Sequence, residues 1–213
     1  MNFKNNKTTN DNEEFMRLIS CNTYTKLRTR DENGNLPLHI YVGSYPIEES
    51  VFEFLIKNAP ETVKERGRFG RLPLHYALCQ KKVNNIKILK DLLNVYPEAS
   101  NTFTNGGWIP LHYAVDRDNS QLDVVKILCE YYPDGPLVKD FDDKLAIHWA
   151  ISRTDSTKIN IDVIRYLSRY HPASATSIAT DRISGSNGLS LVKWSPIERA
   201  LELDNSGNLF GYN

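Results

Sequence analysis

The 213-residue sequence has few cysteines, no excess of charge of either sign and no long hydrophobic run. Cys21, Cys79 and Cys129 are 58 and 50 residues apart, which excludes the close cysteine pairs of zinc ribbons and redox motifs. With 26 Lys and Arg residues against 26 Asp and Glu residues, the chain lacks the cationic excess that drives binding to nucleic acids or anionic membranes. No segment approaches the roughly 18 apolar residues of a membrane-spanning helix. We therefore expect free thiols in a reducing compartment and no membrane partner.

The N-terminal residues are polar and contain no apolar stretch resembling a signal peptide. We expect residues 1–12 to form a disordered leader. The protein is then expected in the cytoplasm, with the nucleus as an alternative, and not as a secreted protein. The composition, 40% hydrophobic and 24% charged, is typical of a globular chain with a sizeable core.

A short pattern containing a proline and a histidine recurs along almost the whole chain. Its copies are Leu36-Pro37-Leu38-His39, Leu72-Pro73-Leu74-His75, Ile109-Pro110-Leu111-His112 and Leu145-Ala146-Ile147-His148, with a degenerate fifth copy at Ser195-Pro196-Ile197-Glu198. The histidines are 36, 37 and 36 residues apart. A second proline follows each of the first four copies, at Pro60, Pro97, Pro133 and Pro172. Such a period is typical of helical-repeat proteins.

Each repeat is predicted to contain two amphipathic helices, because apolar residues at intervals of three and four follow the first marker and precede the second proline. A two-helix unit cannot bury its apolar face alone, so the repeats are expected to stack into a solenoid. The predicted divisions are a cap at 13–30, repeats at 31–66, 67–103, 104–139 and 140–175, a long inserted loop at 176–192, and a partial fifth repeat at 193–213. Asn84 or Asn85, Asn119 or Ser120, and Asn160 stand where the second helices need N-caps.

These motifs resemble the ankyrin repeat, most clearly in Gly70-Arg71-Leu72-Pro73-Leu74-His75-Tyr76-Ala77 and in the copy that begins at Gly107. The resemblance implies an all-α, ankyrin-like solenoid of helix-turn-helix units with short hairpin-like fingers. The chain departs from the family where Leu36, Leu72, Ile109 and Leu145 replace the usual threonine before the proline. The missing cap hydrogen bond costs ~1 kcal/mol per helix, and we expect packing of the aliphatic side chain to offset it.

The resemblance also implies a non-enzymatic, monomeric module that holds a protein partner in a concave groove and needs no cofactor. The implied contact residues lie at the finger tips and at the ends of the first helices. They are Asn33, Asn35, Arg68, Phe69, Arg71, Gln80, Trp108, Asp116, Arg117, Phe141, Asp142, Lys144 and Arg153. Phe69, Trp108 and Phe141 are the expected anchors, since aromatic residues and arginine dominate interface energetics, although packing of finger on finger is the competing interpretation.

The regularly spaced histidines allow two interpretations. About 36 residues per step places His39, His75, His112 and His148 on successive layers, too far apart to share one metal ion. We expect them to be structural, each ring joining backbone groups of adjacent units, with no metal bound.

Two alternatives to protein binding remain open at this stage. The local basic cluster of Lys64, Arg66, Arg68, Arg71, Lys81 and Lys82 is a candidate for binding nucleic acid or a phosphate ligand. Tyr76, Tyr113 and Trp149, which each follow a histidine, have the spacing of a stacking ladder for single-stranded nucleic acid. The balanced net charge argues against the ladder, and inter-repeat packing is the simpler role for the rings. For the basic cluster, acids elsewhere balance the total, so only the local field would count.

Overall fold

A computed structural model describes residues 23–44, 47–79, 86–116, 121–151, 160–185 and 188–198. The α-helices in these ranges are α1 (Thr23–Lys26), α2 (Pro37–Val42), α3 (Glu49–Asn58), α4 (Pro73–Leu78), α5 (Ile86–Val95), α6 (Pro110–Val115), α7 (Leu122–Tyr131), α8 (Ala146–Ile151), α9 (Ile161–Tyr170) and α10 (Pro172–Thr176). Short 3₁₀ turns span Pro60–Lys64, Arg68–Gly70, Pro97–Asn101 and Gly135–Leu137. Each predicted repeat thus contains a first and a second helix, and the prediction of an all-α helical-repeat fold is confirmed.

The first helices α2, α4, α6 and α8 begin directly after an aliphatic residue that is buried. Leu36, Leu72, Ile109 and Leu145 are at most 3% exposed. None of these side chains can accept a hydrogen bond, but each backbone N–H donates to Nδ1 of the histidine three residues later, at 3.0 to 3.3 Å. The histidine therefore supplies half of a capping box, and apolar burial replaces the other half.

The second helices α3, α5, α7 and α9 each bury one apolar face. In α5 the buried residues are Ile88, Leu89, Leu92 and Leu93, and each such side chain contributes about 1.5–3 kcal/mol when it leaves water. Asn160 forms its predicted N-cap, since its Oδ1 accepts from the N–H groups of Asp162 and Val163 at 3.1 and 3.3 Å. The other predicted caps, at Asn84, Asn85, Asn119 and Ser120, lie outside the described residues.

The chain divides into two compact units, residues 1–105 and 106–213. In the first unit α2 packs on α4, and each packs on the second helix of its own repeat. In the second unit α6 packs on α8 and α7 on α9, so first helices form one layer and second helices another. Each unit buries its own continuous apolar core between these layers.

The segment after the fourth repeat differs from the prediction. A loop is expected over 176–192, but β1 (Ala179–Gly185) pairs antiparallel with β2 (Gly188–Trp194), in a register that joins Ala179 to Trp194 and Gly185 to Gly188. The expectation of a loop is therefore corrected to a two-stranded hairpin. Leu189 and Leu191 flank Ser190 in a short alternation of period two, and the β-branched Val192 follows, a composition compatible with a strand.

Within the predicted partial fifth repeat (193–213), Ser195 caps the residues that follow it. Its N–H donates to Oε2 of Glu198 at 2.8 Å, and the N–H of Glu198 donates back to Oγ of Ser195 at 3.3 Å, which is a complete capping box. The predicted leader at 1–12, most of the predicted cap and residues 199–213 lie outside the described residues. Among the helices described above, none has the length and apolar character needed to cross a lipid bilayer.

Candidate interaction surface

Of the four recurring histidines, His39, His112 and His148 join their first helix to backbone at or next to the following finger. All four are 0% exposed. Nε2 of His39 lies 2.9 Å from the carbonyl oxygen of Glu65, and Nε2 of His148 lies 2.9 Å from that of Ser177. His112 reaches the carbonyl of Lys144 at 3.3 Å. Because Nδ1 already accepts a backbone N–H, the proton of the neutral ring is on Nε2, which donates to these carbonyls.

Burial of the rings lowers their pKa values far below the ordinary 6.5. Desolvation brings the pKa of His39 to about 4 and that of His75 to about 3, although the backbone hydrogen bond of His39 with Glu65 partly opposes its shift. The pKa values of His112 and His148 are also lowered, again mainly by burial. The rings are therefore neutral at physiological pH. No group of three or more His, Cys, Asp or Glu side chains in the described ranges is arranged to hold a metal ion.

Two arginines tie successive fingers of the first unit together. Nη1 of Arg30 donates to the carbonyl of Gly34 in its own finger at 2.7 Å and to that of Arg66, ahead of the next finger, at 2.6 Å. Nη1 of Arg66 repeats the arrangement with Gly70 at 2.8 Å and Phe103 at 2.7 Å. Sequence reasoning missed this role. The signal was an arginine 36 residues from another, each directly ahead of a finger.

The finger of the second repeat, residues 67–71, is held against the first repeat by Asn35. Oδ1 of Asn35 accepts the N–H of Arg68 at 2.9 Å and the hydroxyl of Tyr76 at 2.5 Å. A Cβ atom on Gly67 would lie 2.6 Å from that same oxygen and 3.0 Å from Cδ2 of His39. The close approach requires glycine at position 67. The side chain of Asn35, a predicted contact residue, makes its hydrogen bonds within the fold.

Phe69 lies at the tip of this finger and has a backbone conformation that is unfavourable for any residue but glycine. Its φ of 61° lies in the left-handed region, where a non-glycine residue is strained by about 1–2 kcal/mol. Its ring is 52% exposed. The guanidinium carbons of Arg68 and Arg71 lie 4.6 and 5.4 Å from the ring centroid. We call these three residues the Phe69 tip, which presents an aromatic ring flanked by two cations.

In the second unit, the finger of the fourth repeat (residues 140–144) is organised by Asp140. Its Oδ1 accepts the N–H groups of Asp142 and Lys144 at 2.9 Å each, and its Oδ2 accepts Nε1–H of Trp149 at 2.7 Å. Phe141 at the tip is 77% exposed. The predicted tip residues Phe141 and Asp142 are thus presented to solvent.

Trp108 belongs to an aromatic cluster in the second unit. Its ring centroid lies 4.8 Å from that of Trp149 and 5.1 Å from that of Tyr113, in tilted and edge-on arrangements. Nζ of Lys144 lies 4.6 Å from the Trp149 centroid. These contacts give Trp108, Tyr113 and Trp149 a packing role, which was the simpler interpretation of the tyrosine and tryptophan spacing.

The predicted contact residues fall into four groups. Asn33, Arg68, Phe69, Phe141 and Asp142 are exposed, and Arg71, Trp108 and Asp116 are half-buried. Asn35 and Lys144 are buried, with 8% and 9% exposure, and both serve contacts within the fold. Gln80, Arg117 and Arg153 lie outside the described residues.

The basic cluster of the second repeat offers less free charge than its sequence indicates. The Arg66 guanidinium bridges two carbonyls, and Arg68 and Arg71 flank the Phe69 ring. Lys81 and Lys82 lie outside the described residues, and Lys64 is exposed.

Comparison with known proteins agrees with this architecture. A family described as "Ankyrin repeats (3 copies)" matches residues 81–179. The I-Kappa-B like protein G2 of Microplitis demolitor bracovirus is 33% identical over 105 residues, which are 48% of this chain and 61% of that protein. The Tyrosine-protein kinase Shark of Drosophila melanogaster is 24% identical over 124 residues, 58% of this chain and 12% of the kinase. The chain thus spans less than two thirds of either relative. The recurring motif on paired helices and this match together show that residues 81–179 form ankyrin repeats.

Proposed function

We propose that this chain is a non-enzymatic module that binds a protein partner through its finger tips, with the Phe69 tip as the principal anchor. The single observation that carries the proposal is the strained, half-exposed position of Phe69. A ring held at a φ of 61° and 52% exposed gains little from burial within its own fold. Backbone strain of this kind is retained where a function requires the side chain.

The chemistry of the Phe69 tip is that of an interface hot spot. Aromatic residues and arginine are the side chains whose truncation most often weakens protein complexes. Phe69 supplies apolar area, while Arg68 and Arg71 supply hydrogen-bond donors beside the ring. Phe141 and Asp142 provide a second exposed tip in the other unit. Ankyrin repeats generally mediate protein-protein interaction, and binding of the partner in a concave groove is part of the proposal.

Binding of nucleic acid or phosphate through the same finger is the competing function. It would depend on cations that the fold leaves available, and Arg66 already bridges Gly70 and Phe103. The two functions differ in salt dependence, since phosphate contacts weaken steeply with added salt whereas an aromatic anchor does not.

The test is site-specific photo-crosslinking in cells that express the chain. A photoreactive phenylalanine analogue is placed at Phe69 and, as a matched control, at Val95, an apolar residue that is 45% exposed at the end of α5. We expect one discrete protein adduct at Phe69 that resists nuclease and 0.5 M salt, and no matching adduct at Val95. An adduct sensitive to nuclease would support the competing function, and equal adducts at both positions would contradict a specific tip.

A further inference from the structure

The second unit carries a groove on its second helices, away from the fingers. It encloses about 450 Å³ between α7 and α9, and its lining is Leu122, Lys126, Asp162, Arg165, Tyr166, Arg169 and Tyr170. The five residues from α9 are spaced at intervals of three and four, so they form one stripe of that helix. We call this site the tyrosine groove.

The hydroxyl groups of the two tyrosines are both hydrogen-bonded to Cys129 of the neighbouring helix. The hydroxyl of Tyr170 donates to the carbonyl of Cys129 on α7 at 3.3 Å, and the hydroxyl of Tyr166 hydrogen-bonds the Cys129 thiol. The ring planes are 29° apart, with centroids separated by 5.4 Å. Tyr170 remains 38% exposed. The polar ends are thus anchored, and apolar ring area is left for a ligand.

The equivalent position in the first unit is closed by ion pairs. There Nζ of Lys87 on α5 lies 2.9 Å from Oε2 of Glu49 and 3.0 Å from Oε1 of Glu53, both on α3. Aligned on their buried residues, Glu49 and Glu53 correspond to Leu122 and Lys126, and Lys87 corresponds to Asp162.

The second unit does not form this bridge between helices. Asp162 pairs with Arg165 of its own helix at 2.9 Å. Within the described ranges, Lys126 and Arg169 make no ion pair and no hydrogen bond through their side chains. The lining therefore has three cations against one acid, with Glu130 and Asp134 near Tyr170 as further acids at the edge. The positive excess belongs to the lining side chains themselves.

We propose that the tyrosine groove binds an acidic peptide segment of a partner protein. An apolar or aromatic side chain of the segment lies on the rings of Tyr166 and Tyr170, and its carboxylates pair with Lys126 and Arg169. Charge complementarity selects the ligand, because an excess of cations around exposed rings favours acids beside an apolar anchor. The site is on α7 and α9 rather than on the fingers, so it stands independently of the Phe69 tip.

The test begins with selection from a random 12-residue peptide library displayed on phage, using the whole chain as bait. We expect enriched peptides with two or more Asp or Glu residues next to Leu, Phe or Trp. Synthetic versions are then titrated by fluorescence polarisation against the parent and against K126E/R169E. Reversal of both charges is expected to weaken binding about tenfold or more, and peptides with Lys in place of the acids are expected to prefer the variant.

A matched control carries K57E/K90E, two charge reversals at exposed positions on α3 and α5 of the first unit. It is expected to bind the peptides as the parent does, and all variants are expected to keep the parent's melting temperature. A Phe69→Ala variant is also expected to bind them normally, which separates this proposal from that of the Phe69 tip. The proposal would be overturned if the selected peptides are not acidic, if no peptide is enriched, or if K126E/R169E binds as well as the parent. It would also be overturned if sedimentation experiments show that a second copy of the chain occupies the groove.

Discussion

Nε2 of His39 lies 2.9 Å from the carbonyl oxygen of Glu65, 26 residues further along the chain, while Nδ1 of the same ring accepts the N–H of Leu36 at 3.2 Å. One ring thus joins the start of a first helix to the connection into the next finger. Only the neutral form with its proton on Nε2 can make both hydrogen bonds. A second proton on Nδ1 would face an N–H donor inside the core.

This arrangement predicts that acid destabilises the protein. The pKa of His39 is about 4 and that of His75 about 3 in the folded state, against 6.5 for an ordinary histidine, and those of His112 and His148 are also lowered. The unfolded chain therefore binds more protons below pH 6.5. Stability is complete above that pH and falls on acidification by up to about 1.4 kcal/mol per pH unit per histidine. Urea unfolding at pH 7, 6 and 5 measures the slope, and a constant free energy of unfolding would contradict the neutral rings.

Replacing one of these histidines tests its structural role directly. His112→Ala removes hydrogen bonds to Ile109 and Lys144 and leaves a buried N–H and a buried carbonyl without that partner. We expect the free energy of unfolding at pH 7 to fall by about 1–3 kcal/mol. The same variant is expected to lose stability less steeply between pH 7 and 5 than the parent, because one protonation site is gone. Unchanged stability would assign the ring to another role.

Phe69→Gly is expected to separate stability from binding. Glycine adopts a positive φ without strain, so the variant is expected to gain about 0.5–1 kcal/mol of stability. Loss of the ring is expected to weaken partner binding under the proposed function. Thermal unfolding and the recovery of the crosslinked partner measure the two effects. A destabilised variant would show that the ring's contacts with Arg68 and Arg71 hold the finger.

Trp108→Ala is expected to lower stability as well as any binding. The sequence alone predicts an exposed ring, whose removal would leave the melting temperature nearly unchanged. In the structure the ring packs on Trp149 and Tyr113. Removal of these contacts is expected to cost about 1–3 kcal/mol. Phe141→Ala provides the comparison, since that ring is 77% exposed and its loss is expected to cost less than about 0.5 kcal/mol. Equal melting temperatures for the two variants would contradict the packing role.

Two glycines distinguish backbone strain from close packing. Gly34 and Gly70 have φ values of 80° and 68°, so alanine is strained at either position by about 1 kcal/mol. A Cβ at Gly34 meets nothing within 4 Å, whereas at Gly70 it would collide with Asn105. Gly70→Ala is therefore expected to be the more destabilising by at least about 1 kcal/mol in chemical unfolding. A smaller loss for Gly70→Ala than for Gly34→Ala would show that the fingers are not in close contact.

The repeat and its two helices were predictable because each depends on a local pattern. Pro37 and Pro73 begin helices, and the apolar spacing that follows indicates which face is buried. The aliphatic residues before the prolines, such as Leu36, are almost fully buried, as the expected packing requires.

The remaining features arise from contacts that no local pattern encodes. The left-handed φ of Phe69 follows from a turn whose neighbours include Asn35, 34 residues earlier. The hairpin over 179–194 was missed because its Ser and Gly content indicates a loop, although Leu189 and Leu191 keep a strand alternation. The tyrosine groove requires Lys126 and Tyr166 to face each other across two repeats, which only the packing of α7 on α9 brings about.

The histidine hydrogen bonds also determine when each repeat can be completed as the chain is synthesised. In the bonds of His39, His112 and His148 the ring precedes its carbonyl partner by 26, 32 and 29 residues. A repeat emerging from the ribosome therefore has its ring in place before its partner exists, and it is completed only when about one more repeat has been made. Each of these repeats depends for its histidine hydrogen bond on chain that follows it. Loss of residues from the C-terminal side of such a repeat thus leaves a buried histidine N–H without its acceptor.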